Sequence, residues 1–148
     1  KTKAIIKQLS LGAEAYACLL AANKKELYIS LWGGDKILVF DIAQQKITAE
    51  INVGDNPNEL LLNKAGTVLF VANANDNSVS VIDIKQRKEL EVLNAALYPN
   101  APTGSASNGL ALSNDQKTLY VANADNNCLA VFHIPSEKKQ VTKARTKA

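Results

Sequence analysis

The sequence predicts an all-β protein built from three repeats of antiparallel strands, and three observations carry that reading. The first is self-similarity. Residues 27–42 read LYISLWGGDKILVFDI, 69–84 read LFVANANDNSVSVIDI, and 119–134 read LYVANADNNCLAVFHI. The copies stand 42 and 50 residues apart, and the last two are identical at 8 of 16 positions. The second is the period within each copy: short apolar runs, near-alternating in places, broken by Gly, Asn and Asp, as strands and hairpin turns require. The third is bulk. A chain of 148 residues with 47% apolar content has the size of one globular domain and enough material for a core. Repeats in the forties made of four short strands are the mark of β-propeller blades. Residues 1–135 are therefore read as three blades of a partial propeller, or as half of an oligomeric ring, and 136–148 as a basic tail.

The second copy shows the elements most clearly. Residues 58–63 (NELLLN) form its first strand, the most apolar, as expected of a strand buried on both faces near the axis. A turn at 64–66 leads to a second strand at 68–73, a turn at 75–77 to a third at 78–84, and 88–93 (KELEVL) is the charged outer strand. The first copy gives strands at 16–22, 27–31, 36–42 and 46–53; the third gives 108–113, 118–123 and 128–134. Residues 13–27 are rich in Ala, Leu, Glu and Lys and compete as an amphipathic helix. The repeat register decides for strand, because Leu19 and Leu20 fall on Leu61 and Leu62. Ahead of these, residues 4–12 align with 46–54, pairing Ile5 with Ile47 and Leu9 with Ile51, so the chain opens on an outer strand. The third blade is expected to be completed by that strand, 4–11, or by residues 140–144 of the tail.

Charge excludes one class of partner. The last eleven residues carry +5 and the whole chain +3, which leaves −2 on the other 137. A slightly acidic body with only eight aromatic residues is no nucleic-acid platform. No apolar run reaches the roughly 18 residues of a membrane helix, and no secretory signal opens the chain. Cys18 and Cys128 occupy different strand positions in different repeats, so they are read as two half-buried thiols and not as a disulfide.

The strings at 69–84 and 119–134 closely resemble the YVTN-type β-propeller repeat, whose core reads roughly LYVAN…N-x-V-x-V-I-D. The stretch 93–126, LNAALYPNAPTGSASNGLALSNDQKTLYVANADN, resembles more specifically the propeller half of bacterial proteins that couple a YncE-like propeller to an alkaline-phosphatase-like phosphoesterase domain. The resemblance implies a propeller of about seven blades, exported to the periplasm or cell surface. Three repeats and the ending EKKQVTKARTKA depart from that pattern. With fewer blades than the roughly four to eight of a closed propeller, the flanks of the first and third blades should leave apolar surface exposed. The chain is expected to be a fragment of a larger propeller or half of a six-bladed homodimer.

The chemistry is less legible. Asn73, Asn75 and Asn77, like Asn123, Asp125 and Asn127, have the one-three-five spacing of calcium loops. The twelfth position, where such a loop wants a bidentate Glu, holds Ile84 or Ile134. The spacing is read as hairpin geometry, which Asn and Asp suit, and no metal or other cofactor is assigned. Residues 103–109 (TGSASNG) contain no G-x-S-x-G elbow, and the one histidine, His133, takes the place of Asp41 and Asp83 at a strand end. The third repeat has an 8-residue surplus within 94–107, between an outer strand and the next first strand. Such loops share a face with the turns between second and third strands, where propellers hold their ligands.

If the chain binds a small molecule or a protein, that face is the expected site. Its second-to-third turns offer Trp32, Asp35, Asn75, Asp76, Asp125 and Asn126, and its fourth-to-first loops offer Asn56, Asn58, Tyr98, Asn100, Thr103 and Asn108. The plainer alternative is that all of them satisfy turn geometry and water. Without a base, a metal cluster or a phosphate loop, the chain is read as a non-catalytic binding or scaffold module of an exported protein. The alternatives are a lactonase or hydrolase with a metal on the Asx loops, and a surface-layer adhesion propeller.

Overall fold

The computed structural model describes residues 3–98, 100–104 and 106–135, and within them every regular element is a strand. The first sheet holds β1 (Glu14–Leu20), β2 (Glu26–Trp32), β3 (Lys36–Asp41) and β4 (Lys46–Asn52). The second holds β5 (Pro57–Leu62), β6 (Val68–Asn73), β7 (Ser78–Asp83) and β8 (Lys88–Asn94). The third holds β9 (Ser107–Leu112), β10 (Thr118–Asn123) and β11 (Cys128–His133). Neighbours pair antiparallel in chain order, which is the meander of a propeller blade. Among the described residues no helix is long and apolar enough to cross a membrane.

Turn chemistry repeats with the strands. Positive φ recurs at Lys24, Gly66 and Gln116 in the first turn of each blade, at Asp35, Asn77 and Asn127 in the second, and at Gln45 and Arg87 in the third. Asx residues hold the middle set because a short polar side chain tolerates this conformation. Asp41 and Asp83 close their strands by accepting the N–H of Gln44 (2.6 Å) and Gln86 (2.7 Å). His133 is exposed at the end of β11.

Two apolar clusters hold the blades face to face. Between blades 1 and 2, Tyr28, Ile37, Val39 and Ile51 meet Leu60, Leu69, Val71 and Ile82. Between blades 2 and 3, Phe70, Val79 and Val81 meet Leu119 and Val121. Blade 2 is thus covered on both faces, and β6 and β7 are almost wholly buried. The first strand of a blade is not the most buried one, as the sequence suggested: β5 is only partly covered and β1 largely exposed. Burial here comes from a neighbouring blade on each face, and that reaches the second and third strands most completely.

Three further expectations need correction. Residues 4–11 form no strand and do not complete blade 3, whose sheet has three strands among the described residues. An outer strand needs a third strand to pair with, and no such edge stands before β1, so Ile5 and Ile6 are 79% and 90% exposed. The alternative, residues 140–144, lies outside the described residues. Cys18 is exposed and not half-buried, because it lies on the uncovered flank of blade 1; Cys128 is partly covered. The exposed flanks themselves are present: Leu20 and Ile42 on blade 1, and Tyr120, Leu129 and Val131 on blade 3.

Candidate functional site

The face at which each first strand starts is one continuous hydrogen-bonded surface. The loop after β4 is tied back to the turn of its own blade, since Val53 donates to the Asp35 carbonyl (3.1 Å) and Gly33 to Asn56 Oδ1 (3.1 Å). The same loop reaches forward to the turn of blade 2. Ala74 N–H donates to the Asn56 carbonyl (3.0 Å), and Asp55 N–H donates to Asp76 Oδ2 (2.7 Å). The long loop after β8 repeats the scheme: Ala95 donates to the Asn77 carbonyl, Gly104 to that of Asn75 and Ala106 to that of Ala74, while Ala124 donates to Ala106. Asn77 Nδ2 adds a bond to the Pro102 carbonyl (2.7 Å). The long loop is therefore tied to this face through Ala95, Pro102, Gly104 and Ala106.

A bulge at the head of each first strand shapes the inner rim. The register shifts between Ala15 and Cys18, between Pro57 and Leu60, and opposite Ala122 and Asn123. Tyr16, Asn58 and Asn108 occupy these equivalent places, where an extra residue re-aims a side chain. They have different fates. Asn58 is 1% exposed and structural: its Nδ2 donates to the Ser107 carbonyl (3.2 Å), and its own carbonyl accepts from the Ser30 hydroxyl (2.7 Å). The belt continues through the Ser107 hydroxyl to Asn123 Oδ1 (2.7 Å) and from Asn123 Nδ2 to the Ala95 carbonyl (2.6 Å). Asn108 is exposed. Tyr16 stacks on Trp32, centroids 5.4 Å apart.

That stack is the feature the sequence reading missed. Tyr16 stands where the other repeats have Asn58 and Asn108, and Trp32 where they have Ala74 and Ala124. Two aromatics replacing Asn and Ala at matched positions were the available signal. The ring contact of Trp32 is with Tyr16 and not with Tyr98, which is exposed on the β8–β9 loop beside exposed Asn100 and Thr103.

The densest polar group surrounds Gly54. A Cβ there would fall 2.5 Å from Asp76 Oδ2 and 2.6 Å from Asn73 Nδ2, so only glycine admits both. Asn75 Nδ2 donates to Asp55 Oδ2 (3.1 Å), and Asn73 Nδ2 donates to the hydroxyls of Ser78 and Ser80 (3.0 and 2.9 Å). Asn73 Oδ1 is buried without a protein partner. The loop thus brings Asn56, Asn75 and Asp76 together, with Asp35 linked through the Val53 bond and Asp55 added. Asp125 is exposed and Asn126 partly covered on the turn after β10. The one-three-five Asx side chains of blade 2 point to separate protein partners. Among the described residues no three His, Cys, Asp or Glu side chains gather as a metal would need.

A cavity of about 670 Å³ lies at the other end of the sheets, between the first turns of blades 2 and 3. Phe70, Val81 and Leu112 wall it, and Lys64, Glu91, Asp115 and Lys117 rim it. None of the residues expected from the sequence to form the binding face lines it.

A family model described as Lactonase, 7-bladed beta-propeller, matches residues 3–103. Similar solved structures include Kuenenia stuttgartiensis hydrazine synthase, with 27% identity and a TM-score of 0.59 over 78% of this chain and 32% of that one. The periplasmic gluconolactonase PpgL of Pseudomonas aeruginosa has 19% identity and a TM-score of 0.73 over 82% and 37%. A Lactobacillus plantarum protein has 20% and 0.73 over 84% and 38%. The last two likenesses are of fold alone. The chain spans about a third of the length of these structures, and a comparison with curated proteins finds no match. The family match overturns the reading of a non-catalytic scaffold module and turns the question to hydrolysis.

Proposed function

We propose a role in lactone hydrolysis, from the premise that this chain belongs to the seven-bladed β-propeller lactonase family, which its match over residues 3–103 shows. The family match is the observation that carries the reading; the polar group around Gly54 supplies a place for the chemistry. Opening a lactone requires water to attack the ring carbonyl, a base to take the water's proton, donors for the oxyanion and a proton for the departing ring oxygen. Asp76 is the candidate base. It is exposed, and the Asp55 N–H holds one of its oxygens at 2.7 Å. Asn75, half-buried beside it, is the candidate donor, held by Asp55. The Tyr16–Trp32 stack offers an aromatic wall on the same face, against which a sugar-like ring can lie.

The test is a pH-stat assay of the purified chain on glucono-lactone. Base consumption above the spontaneous rate, falling by about 100-fold or more in Asp76→Asn while the circular dichroism is unchanged, is the expected outcome. A folded chain that leaves the spontaneous rate unaltered contradicts the proposal.

A further inference from the structure

The charges of the chain are sorted by the end of the sheets on which they stand. At the end that carries Gly54, the turns after β2, β6 and β10 and the loops after β4 and β8 hold Asp35, Asp55, Asp76 and Asp125, with no lysine or arginine. At the other end, the turns after β1, β3, β5, β7 and β9 hold Lys24, Lys25, Lys64, Lys85, Arg87 and Lys117 against one carboxylate, Asp115. Strand ends do not reverse this balance. Glu26 pairs with Arg87 at 2.7 Å, and Asp41 and Asp83 accept the N–H groups of Gln44 and Gln86. Lys46 and Lys88 add two more cations at the heads of β4 and β8. All five turn lysines are exposed, and their ammonium groups form no ion pair among the described residues.

We infer that this basic end of the sheets docks on an anionic lipid surface, with the Gly54 end facing solution. Three features favour a lipid surface over other anions. Lys24, Lys64 and Lys117 sit in the first turns of blades 1, 2 and 3, so the charges lie at one level and make a plane, not a track. The one arginine of these turns, whose fork would grip a single phosphate in fixed geometry, is already held by Glu26. The lysines that remain act as point charges and answer a diffuse negative field. No aromatic side chain stands in these turns for a nucleic-acid base to stack on. Clusters of roughly four to eight cations are the size that anionic lipid holds, each lysine near the leaflet raising partition about fivefold. The same surface repels the four carboxylates of the far end, so the separation of charge sets orientation as well as affinity.

Orientation has a built-in reporter. Trp32, the one tryptophan, ends β2 on the Gly54 side, and the seven residues of β2 set it roughly 20 Å from the basic turns. The experiment is co-sedimentation of the full chain with equimolar phosphatidylcholine–phosphatidylserine vesicles. Binding is expected at about 0.1 M salt and is lost toward about 1 M, as the screening length falls from about 10 to about 3 Å. It is absent on phosphatidylcholine alone. Changing Lys24, Lys64 and Lys85 together to Gln should weaken binding about 100-fold, whereas the same three changed to Arg should retain it. Lipid spin-labelled in the headgroup should leave Trp32 fluorescence unquenched in the bound state. Binding that survives the triple Gln variant belongs to the cations of residues 138–147 and overturns the inference. Quenching of Trp32, no binding at low salt, or tighter binding to polyphosphate than to the vesicles also overturns it.

Discussion

Replacing Asn58 by Ala separates a structural belt from a binding rim. Asn58 is 1% exposed, and its side chain makes two bonds: Nδ2 donates to the Ser107 carbonyl of blade 3 at 3.2 Å, and Oδ1 accepts the Glu59 N–H at 2.5 Å. Alanine removes both and leaves a buried carbonyl and a partly buried N–H without partners. Each net bond is worth about 0.5–1.5 kcal/mol, and an orphaned buried group costs about 1–3 kcal/mol. The two terms overlap, so the expected loss is about 2–4 kcal/mol. The assay is urea unfolding followed by circular dichroism, with the midpoint read at constant m. Asn123→Ala, which breaks the next link through Ala95 and Ser107, should cost a similar amount, and the double variant less than the sum because both act on one network. A loss below about 0.5 kcal/mol for Asn58→Ala refutes the belt.

Other perturbations have equally definite outcomes. Tyr28 is buried with its hydroxyl unpartnered, and burial pushes its phenol above the ordinary value, with Glu26 adding and Arg87 opposing. Tyr28→Phe, the residue that blade 2 has at Phe70, should leave the unfolding free energy unchanged or raise it by up to about 1 kcal/mol, and a clear loss would contradict this. The Asp115 carboxyl lies below its ordinary value because the Ser113 hydroxyl and the Lys117 N–H donate to it. A depressed folded value means that its contribution is complete above the unfolded value of about 3.9 and is lost as pH falls through the folded one. The protection factor of the Lys117 amide, its exchange corrected for the intrinsic rate, should therefore fall at acid pH, and Asp115→Asn should flatten that dependence. Trp32→Ala should raise KM for a sugar lactone severalfold with little change in stability, since it unstacks exposed Tyr16 and opens no core.

The fold was legible because the chain repeats. All eleven strands could be placed by laying the repeats over one another, as with Leu19 and Leu20, which the register moved from helix to strand. Their ends shift by a residue or two where a bulge at Tyr16, Asn58 or Asn108 displaces the pairing. Local pattern failed where the partner is not local. Residues 4–11 have the composition of an outer strand, but a strand exists only beside another. Cys18 has the register of buried Leu60, but only a neighbouring blade would bury it. The proposed site was legible as a face and not as a constellation. Asx residues serve turns and ligands alike, so spacing did not separate Asn58, held in the belt, from exposed Asp76. The Tyr16–Trp32 stack was visible only as a departure from the other repeats.

The central claim is that the face carrying Gly54, Asn75 and Asp76 takes a lactone. Titrating an isotope-labelled chain with gluconate, the stable product of glucono-lactone opening, tests it most directly by amide chemical shifts. The expected changes cluster at Gly54, Asp55, Asn75 and Asp76 and at the Tyr16–Trp32 stack, and they weaken in Trp32→Ala. Changes confined to Lys64 and Lys117 around the opposite cavity, or no saturable change at all, contradict it.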